Sequence, residues 1–172
     1  KALEVAMAIE NGADEVDIVL NVGRMLTGEY DEAANEVEVI RSEMDADVVL
    51  KVIIESGALK TPDLIRKASL RSMFAGADFV KTSTGKIDVA ATPEAAVVMC
   101  QAIRDYYQKT GRKVGFKAAG GVRTAEDAAL YYTIVEEILG PEWLNTDMFR
   151  IGASSAANNL LSAIEGREIK YY

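Results

Sequence analysis

The stretch GADFVKT, residues 76–82, decides the fold, because a turn signal leads directly into a short apolar run. The same GAD opening occurs at residues 12–14, 64 positions earlier, and again precedes an apolar run. Short apolar runs between turn signals are typical of strands that are buried on both faces of a parallel sheet. The repeated opening therefore predicts a repeated βα unit.

Five such runs occur along the chain, and their starts lie 31 to 35 positions apart, the length of one βα unit. We therefore predict an α/β protein with a parallel sheet. The predicted strands are Glu15–Leu20, Val48–Ile54, Phe79–Thr82, Val114–Lys117 and Met148–Ile151.

Helix start signals lie between the runs. A threonine N-cap, a proline at the first helical position and an acid in the first turn occur in Thr61-Pro62-Asp63 and Thr92-Pro93-Glu94, and Thr124 begins a capping box. No linker divides residues 1–172, so we predict a single domain. The other helices are expected at Ala2–Asn11, Glu29–Asp45 and Ser155–Glu165, with Thr124–Leu139 followed by an irregular insertion at Pro141–Asp147.

The number of units leaves two architectures open. A closed (β/α)8 barrel needs eight strands and about 250 residues. Five units could be part of such a barrel, whereas the same alternation also fits a complete five-stranded doubly wound sheet. The pattern alone does not decide between them.

Composition excludes several classes of function. The formal net charge of −8 argues against a nucleic acid partner, because such binding depends on clustered Lys and Arg. The chain has no His and one cysteine, Cys100, which excludes an intrachain disulfide, a histidine-based triad and a His- or Cys-built metal site. No membrane span or signal peptide is visible, so we expect a cytoplasmic protein.

Three predicted strands carry a lysine among apolar residues: Lys51, Lys81 and Lys117. An unpaired buried ammonium costs several kcal/mol, so such lysines are rare unless they are paired or used. One interpretation is ion pairing with Asp17, Glu55 or Asp78. Three lysines on nearby strands favour a functional site instead.

A crowded lysine has a chemical consequence. A neighbouring cation in a poorly solvated pocket favours the neutral amine. A neutral amine can condense with a carbonyl to form an imine, which activates the adjacent carbon. Asp17 or Glu55 could then supply the proton transfers.

Glycine-rich turns follow the last two predicted strands, at residues 120–124 and 152–155. Glycines before a helix let backbone N–H groups approach an anion, and barrels often bind phosphate after strands seven and eight. Residues 84–86 could close a third side of this site. We therefore predict a phosphate site next to the lysines.

These segments together resemble the deoxyribose-phosphate aldolase family, in order and in spacing. They are GADEVD at 12–17, LKVIIE at 50–55, KTSTGK at 81–86, GFK at 115–117, GGVRT at 120–124 and GASS at 152–155. The resemblance covers nearly the whole chain, and its KTSTGK segment is highly specific to that family.

The resemblance implies a (β/α)8 TIM barrel, of which this chain covers about the last five βα units. It implies reversible cleavage of 2-deoxy-D-ribose 5-phosphate to acetaldehyde and D-glyceraldehyde 3-phosphate, without a metal or cofactor, and it suggests a homodimer. Lys81 would form the Schiff base, Lys117 would favour its neutral amine, and Asp17 would be the acid/base partner. Substrate and phosphate would be bound by Lys51, Thr84, Gly85, Lys86, Gly120, Gly121, Arg123, Gly152, Ser154 and Ser155.

The chain departs from the family at two points. Ala118 stands where the family usually has proline, and the family's first three βα units have no counterpart. Another Schiff-base sugar-phosphate aldolase, a transaldolase or a non-catalytic phosphate-metabolite binder are the competing hypotheses.

Overall fold

A computed structural model describes residues 1–171 and contains a five-stranded parallel sheet. Eight helices, α1 to α8, accompany the strands in this part of the chain. The strands are β1 (Glu15–Val19), β2 (Val49–Ile53), β3 (Phe79–Lys81), β4 (Gly115–Ala119) and β5 (Phe149–Gly152). The helices are α1 (Ala2–Glu10), α2 (Val22–Thr27), α3 (Tyr30–Ser42), α4 (Ser56–Leu59), α5 (Pro62–Phe74), α6 (Pro93–Thr110), α7 (Ala125–Leu139) and α8 (Ala156–Glu165).

The strand order separates the two predicted architectures. Each strand pairs in parallel with the next strand along the chain, in the order β1-β2-β3-β4-β5. A doubly wound sheet reverses its strand order at a switch point, and this sheet has no reversal. The α/β class is confirmed, and the order is that of consecutive barrel units.

The predicted helix starts are confirmed by their caps. The hydroxyl of Thr61 accepts from the N–H of Leu64, and that of Thr92 accepts from Ala95. Thr124 and Asp127 form a reciprocal capping box. These local signals fix where α5, α6 and α7 begin, just beyond the carboxyl ends of the strands.

Two short helices were missed, and several predicted bounds were wrong by one to three residues. Helix α2 has the side chain of Asn21 as its N-cap and Gly28 as a left-handed C-cap. Helix α4 is a single turn. Strand β4 extends to Ala119, because Ala118 and Ala119 pair with Ile151 and Gly152 of β5. The predicted insertion after α7 contains a 3-10 turn at Pro141–Trp143.

Side-chain alternation divides the sheet into two faces. One face of β2 carries Leu50 and Val52, which are fully buried in the hydrophobic core together with Ile54, the next residue after the strand. The other face carries Lys51, and the strand register brings it level with Asp17. In the same register, Lys81 is level with Lys117. The charged side chains thus share the face that lies away from the apolar core.

Among residues 1–171, no helix combines the length and the apolar character that crossing a bilayer requires.

Candidate active site

Three lysines from adjacent strands converge on the carboxylate of Asp17. The Nζ atoms of Lys81 and Lys117 lie 2.8 Å and 2.7 Å from its Oδ2 atom. The Nζ atom of Lys51 lies 3.0 Å from Oδ1. Because Lys81 and Lys117 donate to one oxygen, their nitrogens are no farther apart than the sum of those two distances. The two amines therefore lie on one face of the sheet.

A second carboxylate extends this lysine cluster across the sheet. Glu15 Oε2 lies 2.6 Å from Lys51 Nζ, and Glu15 Oε1 lies 2.9 Å from an Nη atom of Arg150. The contact joins β1 to β5, the two edge strands of the sheet. Sequence reasoning missed both residues. Alternation from Asp17 could have found Glu15, whereas Arg150 is identified only by its register with Lys117.

The lysine cluster contains more positive than negative groups. Its cations are Lys51, Lys81, Lys117 and Arg150, and its carboxylates are Asp17 and Glu15. The side chains of Lys81 and Lys117 are only 14% and 18% exposed, so water screens this excess incompletely. Such a cluster is stabilised when one lysine loses its proton.

The pKa shifts follow from burial and from these contacts. Burial would raise the pKa of Asp17, but hydrogen bonds from Lys117, Lys81 and Lys51 outweigh it and hold that pKa well below its usual range. Burial lowers the pKa of Lys117, and the hydrogen bond to Asp17 offsets this only partly. Asp17 is therefore a carboxylate at neutral pH, and Lys117 releases its proton more readily than an exposed lysine.

Two carboxylates that the sequence analysis offered as lysine partners bind other groups, so that expectation was wrong for both. Asp78 forms ion pairs with Arg41 and Arg112. Glu55 accepts hydrogen bonds from the backbone and the hydroxyl of Thr84. Asp17 is the one predicted partner that contacts the lysines.

The glycine loops after β3 and β4 are in direct contact. Gly85, Gly120 and Gly121 have positive φ angles of 74°, 83° and 82°, a conformation that favours glycine. A Cβ at Gly120 would lie 2.7 Å from the Cβ of Ala90 and 3.0 Å from the Cα of Gly85. Glycine is thus required at position 120 for the two loops to approach each other.

The predicted phosphate-binding segment after β5, residues 152–155, adjoins Lys117. The N–H of Gly120 donates to the carbonyl of Gly152 at 3.3 Å, and a Cβ at Gly152 would lie 3.4 Å from Cε of Lys117. Ser154 and Ser155 are exposed between β5 and α8. This segment therefore joins the loop after β4 to the lysine cluster.

Other predicted binding residues lie around these loops. Arg123 is exposed, and its backbone N–H donates to Asp127 at 2.9 Å. Lys86 is exposed, and its N–H donates to the hydroxyl of Thr84. The N–H groups of Gly85 and Gly121 have no protein acceptor within residues 1–171, so they could donate to an anion.

A cavity of about 620 Å³ lies away from this chemistry, lined by residues of α3 and α5 such as Asp31 and Arg71. A smaller cavity, of about 320 Å³, is lined by Lys1, Asp17 and apolar residues of β1. Size alone would favour the first cavity. We place the candidate site at the lysine cluster because titratable groups converge there.

Comparisons with known proteins show the family of the chain. The family model described as DeoC/LacD family aldolase matches residues 1–139. Deoxyribose-phosphate aldolase of Mus musculus is 48% identical over 98% of this chain and 51% of its own length. The enzyme of that name from Agrobacterium fabrum is 46% identical over 96% of this chain and 62% of its own length.

A solved structure shares the fold. The chain superposes on the tetrameric deoxyribose phosphate aldolase of Aeropyrum pernix with a TM-score of 0.69 and 29% identity, over 95% of this chain and 61% of that one. The chain thus spans about half to two thirds of the length of these relatives, and its sheet corresponds to part of their barrel.

Proposed function

Since the chain belongs to the DeoC/LacD family of aldolases, we propose that it forms part of an aldolase that cleaves 2-deoxy-D-ribose 5-phosphate through a lysine Schiff base. The products are acetaldehyde and D-glyceraldehyde 3-phosphate. The observation that carries this proposal is the pair of amines, Lys81 and Lys117, that share one oxygen of Asp17.

The first half of the reaction forms the imine. The neutral amine of Lys81 attacks the C1 aldehyde carbon of the open-chain sugar, and the carbonyl oxygen takes up a proton to give a carbinolamine. Loss of that oxygen as water gives a protonated imine. Asp17 lies between both amines, so it can pass a proton from Lys81 to Lys117 and back.

The second half breaks the carbon–carbon bond. A base removes the proton of the C3 hydroxyl, the C2–C3 bond breaks, and its electron pair moves toward the iminium nitrogen to give an enamine. D-glyceraldehyde 3-phosphate leaves. Protonation of the enamine at C2 and hydrolysis of the resulting imine release acetaldehyde and restore the amine of Lys81.

The lowered pKa values of Asp17 and Lys117 indicate which of the two groups carries a proton during the reaction. Asp17 remains ionised near neutral pH, so it acts as a bridge and an orienting group, and it does not store a proton. Lys117 can alternate between its charged and neutral forms, because burial lowers its pKa. We therefore assign the base that accepts the C3 proton to Lys117, directly or through water.

The phosphate group is held by the loops beyond β3, β4 and β5 in this proposal. The N–H groups of Gly85 and Gly121 are without protein acceptors in the described chain, and Lys86 and Arg123 lie exposed on the same loops. Ser155 precedes α8, and its side chain makes no capping hydrogen bond. Backbone donors and nearby cations are the groups that bind phosphate in such barrels.

Borohydride trapping tests the proposal. The chain is incubated with acetaldehyde and sodium borohydride, digested, and mapped by mass spectrometry for the reduced adduct. We expect the adduct on Lys81, and we expect Lys81→Leu to lose both the adduct and the cleavage of 2-deoxy-D-ribose 5-phosphate. An exposed lysine supplies the matched control, Lys109→Leu, which should retain both.

Each result that differs from the expected adduct on Lys81 and the expected cleavage points to a different mechanism or function. An adduct on Lys117 would exchange the roles of the two amines. No stable adduct on either lysine would leave a phosphate-metabolite binder as the function. An adduct on Lys81 combined with cleavage of fructose 1,6-bisphosphate, but not of the deoxyribose phosphate, would retain the mechanism and change the substrate.

A further inference from the structure

Glu55 is a buried carboxylate that the proposed reaction does not use. It lies two residues after the end of β2, at the N-cap of α4, and is 6% exposed. Its backbone has φ 53° and ψ 59°, the left-handed region that non-glycine residues rarely adopt. This conformation costs about 1 to 2 kcal/mol and persists only where the surrounding structure holds it.

Within residues 1–171, the hydrogen bonds to the Glu55 carboxylate come from one residue of a neighbouring loop, Thr84. The hydroxyl of Thr84 donates to Oε2 at 2.6 Å, and the N–H of Thr84 donates to Oε1 at 3.2 Å. The N–H of Lys86 donates in turn to the hydroxyl of Thr84 at 3.1 Å. Within residues 1–171, no Lys or Arg nitrogen lies within 4.0 Å of this carboxylate.

Two close backbone approaches hold the rest of the 83–91 loop. A Cβ at Gly57 would lie 1.9 Å from the carbonyl oxygen of Val89, so helix α4 packs directly against the loop backbone. On the other side, the N–H of Ala91 donates to the carbonyl of Gly120 at 3.2 Å. The loop is therefore fixed near its end, and Glu55 fixes its beginning.

We propose that Glu55 is a positioning residue that sets the conformation of Thr84, Gly85 and Lys86, and thereby the affinity for the phosphate of the substrate. This inference rests on the proposed function. Glu55 accepts from both the N–H and the hydroxyl of Thr84. The next N–H, that of Gly85, has no protein acceptor within residues 1–171 and is therefore the one that can donate to phosphate. Glu55 is then neither a general acid nor a general base.

The charge of Glu55 and its contacts with the loop should change phosphate affinity in opposite directions. A carboxylate close to an anion site repels phosphate, so removing its charge raises phosphate affinity if charge is all that matters. If Glu55 holds the loop, Glu55→Gln lowers the affinity, because an amide cannot accept from both the N–H and the hydroxyl of Thr84 through two oxygens.

The experiment is calorimetric titration of the full chain with inorganic phosphate. We expect Glu55→Gln to weaken phosphate binding about tenfold, the effect of losing one hydrogen bond to a charged group. The matched control Glu137→Gln removes an equal charge from the exposed face of α7 and should change nothing. Unchanged or tighter binding by Glu55→Gln overturns the inference.

A double-mutant cycle separates positioning from direct contact. Thr84→Val should weaken phosphate binding as much as Glu55→Gln does, and the double variant should be no weaker. Additive losses would mean that Thr84 binds phosphate independently, which contradicts the inference. If Glu55→Gln fails to fold, Thr84→Val with normal phosphate affinity still overturns it.

Acetaldehyde trapping on the same samples separates this inference from the proposed function. Weakened phosphate binding with normal trapping at Lys81 supports the positioning role, whereas a parallel loss of both would indicate a general folding defect and contradict it. Absence of trapping in the unaltered chain would overturn the proposed function and leave the phosphate comparison valid.

Discussion

Asp17 and Glu55 are both carboxylates, the first within β1 and the second just beyond the carboxyl end of β2, but their surroundings differ. Asp17 lies among three lysines, and those contacts hold its pKa well below the usual range. Glu55 is more deeply buried and is bound by the backbone and hydroxyl of Thr84. In the two proposals, the partners of each carboxylate, more than its burial, decide its role: Asp17 links two amines, and Glu55 holds a loop.

The largest effect is expected from Asp17→Asn. Removing the shared carboxylate leaves the Lys81 and Lys117 amines without their bridge, so trapping of acetaldehyde at Lys81 should slow by about 100-fold or more. Trapping at the normal rate would contradict the role of Asp17, and it would remove the functional contrast with Glu55.

The stability of Asp17→Asn provides a second readout of the same comparison. We expect a loss of about 2 kcal/mol in the free energy of unfolding at pH 7, below the value for a fully buried pair because the side chain is 25% exposed. The folded-state pKa is depressed, so this stability is present above the ordinary carboxyl pKa and is lost as pH falls below it. Urea unfolding should show a smaller difference at pH 3 than at pH 7.

An intermediate effect is expected in the loop after β4, which contacts the loop that Glu55 holds. Gly120 and Gly121 have nearly equal φ angles, so alanine at either position costs about 1 to 2 kcal/mol of backbone strain. Only the Cβ at position 120 would collide with Ala90 and Gly85. Gly120→Ala should therefore weaken inorganic phosphate binding more than Gly121→Ala, as measured by calorimetry. Equal losses would show that the loop contact does not shape the site.

Local signals in the sequence predicted much of the fold. The apolar runs and the three threonine caps located the strands and the helix starts, because these features depend on neighbours within a few residues. The barrel-like strand order could not be read from the pattern, which also fits a doubly wound sheet. The predictions of one domain, a cytoplasmic location and a homodimer stay predictions.

The candidate site was predictable in part. The sequence offered Asp17 as a partner of the lysines, and the structure places it level with Lys51 and in contact with all three lysines. Glu55 was offered beside Asp17 as a possible proton-transfer group, because its left-handed backbone and its hydrogen bond to Thr84, 29 residues away, are tertiary features that the sequence does not show. The contact between Glu15 and Arg150 spans 135 residues and joins the sheet's two edges. No spacing rule connects such a pair.

The most direct test of the central claim is the pH dependence of acetaldehyde trapping at Lys81 in the unaltered chain and in Lys117→Leu. The claim is that two adjacent amines on one carboxylate make one of them reactive near neutral pH. We predict that Lys117→Leu still forms the adduct on Lys81, but that its half-maximal rate moves to higher pH by about one unit or more, because a neighbouring positive charge has been removed. An identical pH profile in the two proteins would contradict the account.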